Sequence, residues 1–96
     1  MNSWQWMDFG SLGNGQSFIQ GTDAGTLEWL IGEIAKRSPD MAIERDNDAD
    51  GILCAANVGP GTGFVTKVFP VLRRLLCENG WEPFGNGTAF KRQMEA

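Results

Sequence analysis

The residues with the clearest chemical potential are three aspartates near the middle of the chain. Asp46, Asp48 and Asp50 alternate with other residues and precede Gly51, which gives the pattern Asp-x-Asp-x-Asp-Gly. This spacing can place three carboxylates around one hard cation, as in the opening half of a calcium-binding loop. The twelfth position of such a loop needs a bidentate glutamate, and Asn57 occupies it. We therefore predict a solvated acidic turn, with a weak calcium site or a patch for a basic partner as alternatives.

A glycine-rich loop is the second candidate site. Gly59, Gly61 and Gly63 alternate with Pro60 and Thr62, between an apolar run and a helical pattern. Backbone N–H groups at the start of a helix suit a phosphate or a carboxylate. The loop lacks the Gly-Lys-Ser/Thr of a nucleotide-binding P-loop and does not have the dinucleotide-binding spacing. We name Gly59, Gly61, Thr62 and Gly63 as the candidate ligand-binding residues for a small anionic metabolite, and a structural turn is the simpler interpretation.

The composition excludes several kinds of function. The 96 residues include no histidine and no tyrosine, so histidine-based triads and metal sites are impossible within one chain. Twelve acidic residues outnumber eight basic ones, and the net charge of −4 disfavours binding to nucleic-acid phosphates. Cys54 and Cys77 cannot complete a four-ligand zinc site, and we expect two buried free thiols. We predict no cofactor and no enzymatic activity.

The chain shows neither a secretory signal nor a membrane-spanning pattern. Met1–Phe9 lacks a basic region followed by an apolar run. A spanning helix needs about 18 apolar residues in succession, and no segment approaches that length. We therefore expect one compact domain over residues 1–96, located in the cytoplasm and without a membrane partner.

Alternating and apolar segments predict the strands. In Ser3–Phe9, Trp4 and Trp6 point to one side and Met7 to the other, so this segment suits a central strand. Gly10–Gly21 contains four glycines and is predicted to be a loop or a mobile segment, with room for a short extended piece at Phe18–Ile19. Three later segments complete the set: a half-buried strand, a strand buried on both faces, and an edge hairpin that contains Pro83 and turns at Asn86-Gly87. They are Asp40–Arg45, Ile52–Val58, and Trp81–Gly85 with Thr88–Arg92.

Two segments have helical periodicity. Asp23 can cap a helix that ends near Arg37, before Ser38-Pro39. One apolar stripe runs along it, formed by Leu27, Leu30, Ile31 and Ile34. A second helix, capped by Thr66 with Pro70 in its first turn, should end in a left-handed residue at Asn79-Gly80.

The order of these elements predicts an α+β protein of the ferredoxin-like type. A β-α-β-β-α-β order folds as an antiparallel sheet with both helices on one face, here with a C-terminal hairpin. The first and third strands would be central, which agrees with their apolar character. The other sheet face would stay open unless the loop Gly10–Gly21 covers it.

An open sheet face with large apolar residues is an interaction surface by default. We therefore predict a non-enzymatic binding module that forms a homodimer or docks on another protein, with Trp4 and Trp6 in the interface. A ligand-regulated module that uses the glycine loop, and a calcium-binding protein that uses the acidic loop, are the alternatives.

Overall fold

A computed structural model describes residues 3–13, 15–46, 54–59, 67–85 and 87–94. These residues form one six-stranded antiparallel sheet, with the strand order β3-β4-β2-β1-β6-β5, and two helices. The elements in chain order are β1 Ser3–Gly13, β2 Gln16–Gly21, α1 Ala24–Arg37, β3 Ile43–Asp46, β4 Cys54–Val58, α2 Phe69–Glu78, β5 Glu82–Phe84 and β6 Ala89–Met94.

The segment Gly10–Gly21, which the glycines predict to be a loop, instead completes a hairpin between β1 and β2. Its glycines permit close packing within the sheet. A Cβ atom on Gly10 would lie 2.3 Å from the ring of Phe18, and one on Gly21 would lie 2.2 Å from the sulfur of Met7. Glycine inside a strand often marks such a close approach. The hairpin is part of the sheet and does not fold over its open face.

The extra strand changes the topology that the sequence predicts. The strand that leads into α1 is β2, and β4 lies between β2 and β3. This arrangement is a split β-α-β unit, with β1 and the β5–β6 hairpin added on the other side of β2. The prediction of an α+β protein with an antiparallel sheet and two helices is confirmed. The ferredoxin-like order is not found, because the sheet has six strands in a different order.

The first helix agrees with the prediction. Asp23 occupies the predicted N-cap position with an extended backbone, but its side chain makes no hydrogen bond to a backbone N–H of the first turn. Its carboxylate accepts a hydrogen bond from the Thr26 hydroxyl instead. The helix ends at Arg37, whose guanidinium pairs with Glu33 one turn earlier. All four residues of the predicted apolar stripe are buried: Leu27, Leu30, Ile31 and Ile34.

The second helix starts at Phe69 and ends in the predicted left-handed residue. Pro70 lies in the first turn, where a backbone N–H has no acceptor within the helix. The absence of this N–H in proline therefore removes no helical hydrogen bond. Gly80 has φ +88°, and its N–H donates to the Cys77 carbonyl at 3.2 Å. The Trp81 N–H donates to the Leu76 carbonyl at 3.0 Å, which completes a Schellman cap. The predicted capping residue, Thr66, lies outside the described residues.

Both helices cover the same face of the sheet. Phe69 of α2 packs edge-on against Phe9 of β1, with ring centroids 5.1 Å apart. Glu28 of α1 accepts two hydrogen bonds of 2.6 Å from Arg45 of β3. Register places Phe9 and Arg45 on the same face, because both align with Ile19 and Ala56 across β2 and β4. The sheet residues of the core alternate along this face: Met7, Phe9, Ile19, Ala56, Val58 and Phe90.

Two burial predictions need correction. The strand β4 is not buried on both faces: Ala56 is buried, but Asn57 on the opposite face is exposed, because neither helix covers that side. Both cysteines are free thiols, but only Cys54 is half-buried, and Cys77 is exposed on α2. Along the stretches that the structure describes, neither helix has the length and hydropathy to cross a membrane.

The close approach of β1 at Gly21 leaves no room for a side chain at this position. Gly21→Ala should lower the free energy of unfolding by about 1–3 kcal/mol, because the new Cβ collides with Met7 and with the Trp6 carbonyl. Gly32→Ala is the matched control, since Gly32 is exposed on α1 and has nothing within 4 Å of its Cβ position. The control should raise stability by about 0.5–1 kcal/mol. Urea unfolding measures both values, and equal effects would contradict the proposed crowding.

The two thiols should differ in reactivity. Burial, reinforced by the nearby Asp23 carboxylate, raises the pKa of the Cys54 thiol, which also donates to the Gly21 carbonyl at 3.3 Å. A raised pKa means less thiolate at any given pH, so Cys54 should react with a disulfide reagent at least about ten-fold more slowly than Cys77. The Cys77→Ser variant should therefore show only the slow reaction of Cys54 with the reagent. Unfolding this variant in urea should accelerate the reaction. A fast phase in this variant would contradict the assignment.

Candidate interaction surface

The sheet face opposite the helices is the candidate site, and we call it the open face. Alternation along each strand gives this face its residues, and neither helix covers it. The structure thus decides which side of β1 faces the helices: Met7 and Phe9 are buried, while Trp4 and Trp6 lie on the open face. The large or charged side chains described on it are Trp4, Trp6, Asp8, Phe18, Glu44, Glu82, Phe84 and Lys91.

Trp4, Phe84 and Lys91 form the most exposed part of this face, and we call them the aromatic–lysine cluster. The Lys91 ammonium lies 5.0 Å from the ring centroid of Trp4 and 5.8 Å from that of Phe84. Trp4 is 53% exposed and Phe84 is 42% exposed, and these are the exposed large apolar residues among those described. A cation over an aromatic face is attracted by the ring quadrupole. The cluster is therefore apolar, charged and accessible.

Strand register explains why these three side chains meet. Lys91 of β6 aligns with Trp6 on one side and with Glu82 on the other. Trp4 and Phe84 are diagonal neighbours of Lys91, at a distance that long and aromatic side chains span. The cluster thus requires β6 to lie between β1 and β5.

A half-buried polar network on the opposite face holds β6 in this register. The Arg92 guanidinium stacks on Trp81 at 4.6 Å and donates to the Gln5 side-chain oxygen at 2.9 Å. It also lies 3.7 Å from the carboxylate of Asp23, at the start of α1. Because neighbouring residues of a strand point to opposite faces, fixing Arg92 on the helix side directs Lys91 to the open face.

Among the described residues, the charged side chains of the open face form no ion pairs. Asp8 is half-buried on the central strand β1, where its neighbours across the strands are Gln20 and Ala89. Among the described residues, the Asp8 carboxylate makes no ion pair or side-chain hydrogen bond. Among the described residues, no carboxylate lies within 4.0 Å of the Lys91 ammonium. This ammonium contacts the rings of Trp4 and Phe84 instead. The face thus presents a carboxylate and an ammonium that are both available to a partner.

The predicted glycine site is only partly described. Gly59 borders a cavity of about 280 Å³ whose lining includes Gln16, Glu44 and Asn57. Its N–H donates to the Ala42 carbonyl at 2.9 Å, so this donor is already used. The Glu44 carboxylate in the lining would oppose an anion. Gly61, Thr62 and Gly63 lie outside the described residues.

The acidic loop also falls largely outside the described residues. Asp46 ends β3, and the positions of Asp48 and Asp50 are not described. The calcium alternative stays a prediction.

Sequence reasoning identified the two tryptophans of β1 but missed Phe84, Lys91 and Asp8. Trp4 and Trp6 do lie together on the open face, beside the missed residues. Alternation in β6 was the available signal, because it separates Lys91 from Arg92. The pairing of β6 with β1, rather than the pattern itself, brings Lys91 to Trp4.

Removing the ammonium from the cluster should weaken the fold slightly. Lys91→Gln should lower the free energy of unfolding by about 0.5–1 kcal/mol, because the cation–π contacts with Trp4 and Phe84 are lost. Lys91→Arg keeps a cation over the rings and should retain most of this energy. Urea unfolding of the three proteins provides the measurement. An equal loss of unfolding free energy in both variants would contradict a cation–π contribution to stability.

Comparison with known proteins does not identify a family for this chain. The chain matches no protein-family model, no curated protein and no solved structure. The functional proposal therefore rests on the geometry of the described residues.

Proposed function

We propose that this chain is a non-enzymatic binding module that self-associates through its open face. The supporting observation is the aromatic–lysine cluster, in which Trp4 and Phe84 remain 53% and 42% exposed on a sheet face that neither helix covers. Exposed apolar patches that are rimmed by polar groups mark interaction sites in proteins. Aromatic residues are also enriched among the residues that dominate binding energy.

Burying the cluster gives a useful driving force. An aromatic side chain buries about 150–250 Å², and apolar area contributes roughly 25 cal/mol per Å². Covering the exposed halves of Trp4 and Phe84 should therefore contribute about 2 kcal/mol for each residue. In a symmetric dimer, each of these contacts occurs twice. This sum offsets the lower part of the range of association costs, about 4–15 kcal/mol.

The edges of the sheet are poorly suited to the same purpose. The edge strand β5 has three residues, and Pro83 at its centre has no N–H to donate. The opposite edge strand β3 has four residues, including Glu44 and Arg45. Short edges with proline or charged residues resist pairing with another strand. The open face is thus the better surface for association.

The charge of the chain argues against the other large class of partners. A sheet with exposed aromatic side chains can stack nucleic-acid bases, but such platforms work beside positively charged grooves. The open face carries Asp8, Glu44 and Glu82 against one described cation, Lys91, and the whole chain has a net charge of −4. Phosphate groups would be repelled. The two free thiols agree with the cytoplasmic location that we also propose.

Sedimentation velocity over a wide concentration range tests self-association. The wild type should show a concentration-dependent dimer, and Trp4→Ser with Phe84→Ser should shift it to monomer, because the apolar anchors are lost. Val71→Ser is the control, since Val71 is a half-buried apolar residue on α2, away from the open face. This variant should associate like the wild type. A wild type that stays monomeric at the highest concentration would overturn the proposal.

A further inference from the structure

We propose that the turn of the β5–β6 hairpin binds a small organic carboxylate, with the Arg73 guanidinium as the main contact. The site is a cavity of about 380 Å³ whose described lining is Arg73, Pro83, Phe84, Gly85 and Gly87. Cavities that hold small molecules have volumes of about 300–1,000 Å³. Of these residues, Phe84 alone also belongs to the aromatic–lysine cluster. The proposal therefore goes beyond self-association and does not depend on it.

The Arg73 guanidinium is a cation without a counter-ion in the described part of the chain. It forms no ion pair there, whereas the next residue, Arg74, lies 3.7 Å from the carboxylate of Glu78 one turn later. A guanidinium presents its N–H donors in a planar fork that matches the geometry of a carboxylate. The two adjacent arginines of α2 thus differ, because only Arg73 has this fork unused beside a cavity.

The glycines of the turn bring this guanidinium close to the backbone. A Cβ atom on Gly87 would lie 3.8 Å from a terminal nitrogen of Arg73, so a larger residue would crowd the cavity. Gly85 and Gly87 have φ +66° and +91°, which residues with side chains rarely adopt. The Gly87 N–H donates to the Phe84 carbonyl at 3.3 Å, whereas the Gly85 N–H has no acceptor among the residues described. Two kinds of N–H donor without acceptors therefore border one cavity.

The lining favours an anion that carries one charge and an apolar group. None of its described residues is acidic, in contrast to the cavity beside Gly59, where Glu44 would repel an anion. One guanidinium offsets one negative charge, and the chain has a net charge of −4, so a doubly charged phosphate is disfavoured. Pro83 and the exposed Phe84 provide the apolar part of the lining. Together these features fit an aryl carboxylate.

Titration of the full chain with benzoate, followed by two-dimensional NMR, tests the site. Benzoate should shift the amide signals of Gly85 and Gly87, because both residues line the cavity. Benzamide has a similar shape without the charge and should shift them much less at the same concentration. Inorganic phosphate should also act more weakly than benzoate. A benzamide response equal to that of benzoate, or a stronger response to phosphate, would overturn the ligand class.

Two neighbouring arginine variants show whether the guanidinium is specific. Arg73→Gln should raise the dissociation constant of benzoate at least about ten-fold, because the charged fork is lost while much of the aliphatic stem remains. Arg74→Gln is the matched control, since it removes the same charge from the adjacent position, where the guanidinium lies near Glu78. It should change the constant by less than about two-fold, because salt screens exposed charges outside the site.

Circular dichroism with urea unfolding confirms that both variants fold. An equal loss of benzoate affinity in the two variants would mean that only the general charge of α2 acts, and the site would be wrong. A wild type whose Gly85 and Gly87 signals do not respond to benzoate would also overturn the proposal. Neither result would affect self-association, which sedimentation velocity measures separately.

Discussion

The close approach of β1 and β2 is the contact on which the rest of the structure depends. The hairpin forms because Gly10 and Gly21 leave room for the side chains of Phe18 and Met7. It places β1 between β2 and β6, in the middle of the sheet. With β1 in that position, its alternation sends Met7 to the core and the tryptophans to the open face. The core and the candidate surface are thus two consequences of one strand pairing.

The two faces of the sheet are coupled through β6. On the helix side, Arg92 joins β6 to Gln5 of β1, to Trp81 and to the start of α1 near Asp23. On the open face, the preceding residue, Lys91, lies between the rings of Trp4 and Phe84. A polar network with several partners fixes a strand more firmly than a single ion pair does. The geometry of the surface therefore depends on contacts beneath it.

The proposed function follows from what the fold leaves uncovered. Two helices of 14 and 10 residues cover one face of six strands, and the chain has no third described helix for the other. The uncovered side combines exposed aromatic groups with charged side chains that form no ion pair among the described residues. Solvating such a face costs free energy that a matching surface recovers by excluding water. The proposed self-association would cover this apolar area with a surface of the same kind.

The sequence by itself determined the local elements, because helix periodicity, an aspartate at the N-cap position, the Gly80 terminator and the hairpin at residues 82–94 are short-range signals. It also indicated the central position of β1. Only the tertiary structure decided that β2 is a full strand, since Gly21 of β2 makes room for Met7 of β1, and Gly10 of β1 makes room for Phe18 of β2. Local sequence patterns likewise do not predict that Trp4, Phe84 and Lys91 lie together. These residues are separated along the chain, and strand order alone brings them together.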